Sequence, residues 1–331
     1  MKWTDQGYWK SLLFYRQSVI YYWLLSAWYR SFTWYAAANP GISHAGMLNE
    51  KKSEIYPLLP TAFLPPTRFL DSREAALDFV RGMEFSFPIV IKPNIGLKGI
   101  AVEVCHHLQE AENYLQKSPR SEFIIQEYID LPREFAVLFY RIGNKEKGIS
   151  SFIEKKYPQV IGDGVSTLHQ LIDRHPHPYL QKNRWKKYYS DVKMEKGQLK
   201  CIHNIGNYAQ GASFHSLQGE IDNQLLEGIL SCMDQIKGID FCRLDVKAHS
   251  IEKLKEGDFK IIEVNGGKSE PLHIYDSNIS FIKASRDIHQ HWVKYTRVVN
   301  YHLSKGFRLL TTAEGVRALK QIKQVVKNKD K

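Results

Sequence analysis

Cysteine and methionine are scarce in this chain, with 4 Cys and 5 Met in 331 residues. Cys105, Cys201, Cys232 and Cys242 contain no pair at the two-residue spacing of a zinc ribbon or a thiol redox motif. They read as reduced thiols in a cytosolic core. Long apolar runs are missing too. In the most apolar stretch, residues 11–38 (SLLFYRQSVIYYWLLSAWYRSFTWYAAA), only 13 residues separate Arg16 from Arg30. A spanning helix needs about 20 apolar residues. The run also lies too late and is too aromatic for a secretory signal. No repeat, low-complexity tract or nucleic-acid-binding motif occurs, so no nucleic-acid partner is expected. At 43% hydrophobic and 24% charged residues, a disordered tail, a collagen-like fibre and a disulfide-stapled mini-protein are all excluded.

Basic residues are in excess, with 46 Lys+Arg against 35 Asp+Glu, a net charge of +11. Such a surplus suits an anionic substrate or an anionic surface. Tyrosine, tryptophan and arginine crowd the run at 11–38. Besides a spanning segment, two readings stand open for it. It is an interfacial helix at a headgroup boundary, or a helix that covers the protein's own core.

Asn39-Pro40-Gly41 should end the aromatic helix, and four prolines between residues 46 and 70 mark a connector with one short helix. A helix is expected over 72–81, capped by Asp71 or Ser72, and further helices over 107–116, 166–173 and 223–236. Strands are expected at 87–92, 101–105, 123–126, 134–141, 241–247 and 259–264, the last two joined by a charged turn. The tail from 312 to 331 reads as a basic amphipathic helix. The order predicts a mixed α+β chain. Its expected division is an aromatic helical segment (1–50), a small α+β unit (51–127) and a larger one (128–331).

Three elements carry chemistry. In FCRLDVK and IIEVNGG, Glu263 and Asn265 are two apart and share a strand face, with Asp245 on the neighbouring strand. Three hard oxygen donors at a sheet suit Mg²⁺ that also holds phosphate. In FPIVIKPNIGLKGIAV, a strand delivers Lys92 beside a loop holding Gly96 and Gly99, whose backbone can approach phosphate closely. It is not a P-loop, since no helix-opening G-K-[ST] follows. In IIQEYIDLPREFAVLFYR, a strand ends at Gln126-Glu127, and Glu134 opens the next.

These elements, in this order, resemble the ATP-grasp superfamily over about residues 50–275. The nearer likeness is to its carboxylate–amine ligases, such as D-alanine–D-alanine ligase and the ATP-grasp half of cyanophycin synthetase. The resemblance implies two α+β subdomains that sandwich ATP, and a ligase that joins a carboxylate to an amine of an amino acid or small peptide through an acyl phosphate. It implies Lys92 and, beside Lys51 as the alternative, Lys52 on phosphates. The loop 94–99, with Gly96 and Gly99, would close over the triphosphate. Gln126 and Glu127 would form the adenine hinge, and Glu134 would hold the ribose. Lys156, with Lys155 as runner-up, would reach the terminal phosphate. Arg243 would face the developing oxyanion, and Asp245, Glu263 and Asn265 would hold Mg²⁺ or Mn²⁺. The loop HNIGNYAQGASF, with Asn204, would lie near the transferred phosphate. His203, His215 and His273 stand open between a metal role, contact with substrate, and ordinary hydrogen bonding.

Two departures qualify the likeness. Where the dipeptide ligases carry a serine-proline-glycine turn after E-x-N, this chain has Asn265-Gly266-Gly267-Lys268-Ser269-Glu270. In place of a front domain of substrate wall it has about 50 aromatic-rich residues. The alternatives are a phosphotransferase using the same nucleotide site, and a non-catalytic nucleotide-binding protein at a membrane surface. Expected partners are small carboxylates and amines, with peripheral membrane contact through residues 11–38 and a homodimer both compatible. The expected compartment is the cytoplasm, including the inner face of a membrane.

Overall fold

Residues 6–46, 51–95, 102–177, 179–311 and 313–317 are described in a computed structural model of the chain. Of the expected loop 94–99, residues 96–99 with Gly96 and Gly99 lie outside the described residues, as does all of the basic tail beyond 317. In chain order, α1 (Gln6–Tyr29) leads through a 3-10 turn (Trp34–Ala38) to the short α2 (Lys52–Ile55). Then come β1 (Thr67–Leu70), α3 (Arg73–Arg81), β2 (Ile89–Pro93), β3 (Glu103–Cys105), α4 (Leu108–Lys117) and β4 (Phe123–Glu127). The chain continues with β5 (Arg133–Ile142), β6 (Glu146–Lys156), β7 (Gln159–Ile161), α5 (Leu168–Arg174), α6 (Lys182–Lys186), β8 (Leu199–Cys201) and β9 (Ser213–Ser216). It closes with α7 (Asn223–Met233), β10 (Phe241–Ala248), α8 (Ile251–Lys255), β11 (Lys260–Asn265) and α9 (Phe281–Ser304).

A small antiparallel sheet of order β1-β4-β2-β3 carries α3 and α4 on one side. Ser72, rather than Asp71, caps α3, its Oγ accepting from the Ala75 N–H at 3.1 Å. The larger antiparallel sheet has the order β11-β10-β5-β6-β9. Its middle strand β5 is buried on both faces. Phe135, Val137 and Phe139 pack toward α7 and α8, while Leu138, Tyr140 and Ile142 pack toward α9. Strand alternation divides β10 in the same way. Cys242, Leu244, Val246 and Ala248 join the α7–α8 core. Phe241, Arg243, Asp245 and Lys247 share the opposite face. One end of that face is covered by aromatic packing, and the other carries the charges.

Several expectations are corrected. The aromatic run is not one helix. α1 ends at Tyr29, Arg30 takes a left-handed backbone (φ 51°), and a separate 3-10 turn follows. The charged turn between β10 and β11 contains the helical turn α8, capped by Ser250. Among the described residues no helix is long and apolar enough to cross a membrane. Instead, one side of α1 lies on α9. Phe14 stacks on Phe281 at 5.5 Å, and the Gln17 Nε2–H donates to the Ser285 carbonyl at 3.1 Å. Trp34, wholly buried, packs edge-on against Tyr295 at 5.5 Å, and Tyr295 packs against Phe241 at 4.6 Å.

Asn39 fastens this segment to the sheet. Its Nδ2–H₂ donates to the carbonyls of Phe241 (2.7 Å) and Ala45 (3.1 Å), and its Oδ1 accepts from the Asp240 and Phe241 amides, both at 2.8 Å. The side chain is fully buried. Asn39→Ala would strand several buried backbone groups, each worth about 1–3 kcal/mol. Urea unfolding should show Asn39→Ala about 3 kcal/mol less stable than wild type. A change below about 0.5 kcal/mol would contradict this role.

Candidate active site

Register on the large sheet brings the metal-type donors together. Asp245 lies opposite Glu263 and Arg243 opposite Asn265, all on one face. The pairing then slips. Val246 lies opposite Ile261, so Ile262 is the extra residue of a β-bulge. Its carbonyl leaves the ladder and accepts from the Tyr56 hydroxyl (2.8 Å) and the Lys92 ammonium (3.2 Å). Lys92 also donates to the Tyr56 hydroxyl at 2.9 Å. The bulge therefore joins the strand lysine of the small sheet to the carboxylate strand of the large one. Lys52 reaches Glu263 at 2.9 Å. Of the two lysines open at that place, Lys52 lines the cavity and Lys51 does not.

The centre of the face is a buried charge network. The Lys155 ammonium lies 2.8 Å from Glu134 and 3.1 Å from Asp245. Arg243 lies 2.9 Å from the other oxygen of Asp245, and the Asn265 Nδ2–H donates to Asp245 at 3.3 Å. Burial alone would lower the Lys155 pKa, but Asp245 and Glu134 outweigh it and hold it above the usual lysine range. Burial likewise opposes the Arg243 charge, and Asp245 restores it. Burial would raise the Glu263 carboxyl, yet Lys52 beside it pulls it down to about 2. Lys92 goes the other way. Burial, then the nearby Lys52 charge, lowers it to about 7 despite Glu263.

Lys156, expected to face the site, points elsewhere. It is 48% exposed and pairs with Glu154 at 2.6 Å; Lys155, the alternative, lines the cavity. Neighbouring strand residues face opposite ways, and both faces of β6 are apolar before this point, so parity could not be read from the sequence. Glu134 lines the cavity with its two oxygens engaged by Lys155 (2.8 Å) and the Tyr157 hydroxyl (2.7 Å). Burial first, then Glu134, raises the Tyr157 pKa.

These groups line a cavity of about 630 Å³ between the two sheets. At one end stand Gln126, Glu127, Tyr128 and Ile129. Gln126 is buried and donates to the Thr67 hydroxyl at 2.7 Å. Lys247, not anticipated, donates to the Ile129 carbonyl at 2.9 Å and sits over the Tyr128 ring. Its position two residues after Asp245 was the available signal. The opposite end holds Tyr208, Phe214, Glu270 and Tyr275, the Tyr275 hydroxyl donating to Glu270 at 2.6 Å. Asn204 lies on the wall and donates to the Tyr128 hydroxyl at 3.2 Å.

The histidines fill structural positions. His203 pairs Nε2 with the Gln210 carbonyl (2.8 Å), accepts from the Ile205 amide at Nδ1 (3.1 Å) and stacks on Trp185 at 4.1 Å. Burial lowers its pKa to about 4, so it braces the cavity loop as a neutral ring. His273 is held between Ser151 (2.8 Å) and Asp287 (3.0 Å). His215 contacts Ser213. None is arranged with the others as a metal set.

Among the described residues no group of three or more His, Cys, Asp or Glu could hold a metal ion. Asp245, Glu263 and Asn265 offer two carboxylates and an amide, which is too few for an all-protein cage. It fits a hard divalent cation that completes its shell with phosphate oxygens. Burial and then the Lys52 charge depress the Lys92 ammonium, and an entering polyanion would oppose both.

Residues 52–148 match the family described as the RimK-like ATP-grasp domain. No curated protein matches the chain. Among solved structures, VanG D-Ala:D-Ser ligase from Enterococcus faecalis is 14% identical, with 76% of this chain and 64% of that one covered at a TM-score of 0.42. D-alanine–D-alanine ligase from Bacillus anthracis is 15% identical, covering 75% and 68% at 0.40. The bifunctional glutathione synthetase from Pasteurella multocida is 15% identical, covering 69% and 33% at 0.36. The chain thus spans about a third of the synthetase and about two thirds of each ligase.

The two lysines at the end of β6 give a direct test. Lys155→Met would leave buried carboxylates uncompensated and should cost about 3–5 kcal/mol in urea unfolding. Lys156→Met, at a half-exposed pair, should cost less than about 1 kcal/mol. Equal losses would contradict the arrangement.

Proposed function

We propose that this protein is an ATP-dependent ligase that joins a carboxylate to an amine through an acyl phosphate. The observation that carries the reading is the meeting of Lys52 and Lys92 with the Arg243–Asp245 and Glu263–Asn265 face inside one cavity between two sheets. The match of residues 52–148 to the RimK-like ATP-grasp domain supports it.

In this proposal Lys52 and Lys92 bind the polyphosphate, and the end lined by Gln126, Glu127 and Tyr128 takes the base. Lys155 is a positioning residue that keeps Asp245 and Glu134 in place. Asp245, Glu263 and Asn265 would hold a divalent cation, which supplies charge neutralisation at the phosphates when bound. The substrate carboxylate attacks the terminal phosphorus, and the bond to the bridging oxygen breaks to give ADP and an acyl phosphate. The amine nitrogen then adds to the acyl carbon. The tetrahedral intermediate collapses to an amide, expelling phosphate, and the amine proton goes to solvent. Arg243 stabilises the oxygen that gains charge at the acyl carbon. The chain contributes position and electrostatics.

Phosphate release from Mg-ATP should be stimulated by the correct members of a pool of amino acids, small peptides and simple carboxylates. Products should gain the mass of one amide condensation. Glu263→Gln and Arg243→Ala should each lose at least about a hundredfold in rate, roughly 3 kcal/mol of transition-state stabilisation. A near-normal rate would remove that residue from the mechanism. Phosphorylated product without amide would replace the ligase by a phosphotransferase.

A further inference from the structure

The ligase reading uses only part of the aromatic N-terminal segment, because only one side of α1 is packed. Helix α1 runs parallel to α9, with Phe14, Gln17, Tyr21 and Tyr29 meeting Phe281, Ser285, His289 and Asn300 in order. The other side presents Leu13, Ile20, Trp23, Leu24 and Trp28 at helical spacing, continued by Phe32 beyond the helix end. These are large side chains left in water, with Leu24 63% and Trp28 79% exposed. A contiguous apolar ridge of this kind marks an interaction surface.

Charge selects the occupant. No Asp or Glu occurs between Asp5 and Glu50. Arg16 and Arg30 are exposed along the ridge, and Lys283 and Arg286 are exposed on the adjoining stretch of α9 beside Ile282. The nearest carboxylate on α9, Asp287, is already engaged by Lys283 and His273. Tryptophan and leucine on one helix face, edged by arginine and free of acid, fit the headgroup boundary of an anionic bilayer. Because α1 is too short in apolar length to cross, the contact lies in the membrane plane.

We propose that the outward face of α1 docks this protein on anionic lipid bilayers, with Trp23, Leu24 and Trp28 entering the interface and Arg16, Arg30 and Arg286 meeting the headgroups. The proposal is independent of the ligase chemistry.

The test is cosedimentation of the full chain with phosphatidylcholine vesicles, with and without phosphatidylglycerol. Binding should require phosphatidylglycerol and weaken in high salt. A Trp23→Ala/Trp28→Ala double variant, both positions being exposed, should lose about tenfold or more in partitioning with unchanged thermal unfolding. Arg16→Glu should weaken binding to the anionic vesicles only. Three results would overturn the proposal. They are no binding to anionic vesicles, equal binding by the double variant, and self-association abolished by the double variant without any vesicle binding.

Discussion

A buried ammonium between two carboxylates sets the geometry on which the site depends. Lys155 comes from β6, Glu134 from β5 and Asp245 from β10, so one cation ties three adjacent strands. Taking such charges out of water is costly unless each is paired, and removing one partner leaves the others uncompensated. The network therefore fixes where Asp245 points. Asp245 in turn fixes Arg243 and Asn265, its neighbours on the same face.

Two local irregularities connect this face to the rest of the molecule. The bulge at Ile262 turns a backbone carbonyl out of the ladder, and Tyr56 and Lys92 take it up. Without the extra residue that carbonyl would belong to the sheet, and Lys92 would lose its anchor on the large sheet. The second connection is the wedge of residues 39–46 against the end of β11. A side chain at Gly266 would collide with the Ala45 carbonyl, and one at Gly267 with the Tyr295 hydroxyl. The Gly267 N–H donates to that Ala45 carbonyl at 2.6 Å. The N-terminal segment thus braces the corner just past Asn265, where the sequence departs from the turn of the dipeptide ligases.

Much of this was legible in the sequence where a pattern had one physical reading. Glu263 and Asn265 share a face by strand alternation, and the register of β10 on β11 sets Asp245 opposite Glu263. Lys92 was placed by its strong apolar strand. What could not be read depends on tertiary context. β1 is a four-residue edge strand behind two prolines, exposed in its middle, with no alternation to announce it. α9 carries a mixed sequence whose buried face is shared between the large sheet and the aromatic segment some 260 residues away. The choice between Lys155 and Lys156 turns on a parity that both apolar faces of β6 conceal. Asn39 ends the 3-10 turn, as the sequence suggests, and its four-bond strap to Ala45, Asp240 and Phe241 is visible only in the folded chain.

The central claim is that the cavity between the sheets receives a polyphosphate. Lys92 tests it most directly, because burial and the Lys52 charge push its pKa down to about 7, well below the ordinary lysine value of 10.5. Above pH 7 burial holds it mainly neutral, and a bound polyanion favours the charged form, so binding should take up a proton. Calorimetry of a non-hydrolysable Mg-ATP analogue at pH 8, in buffers of different ionisation enthalpy, should therefore report uptake of about one proton. Lys92→Met should bind more weakly and take up none. Binding without proton uptake, or no binding by wild type, would contradict the account.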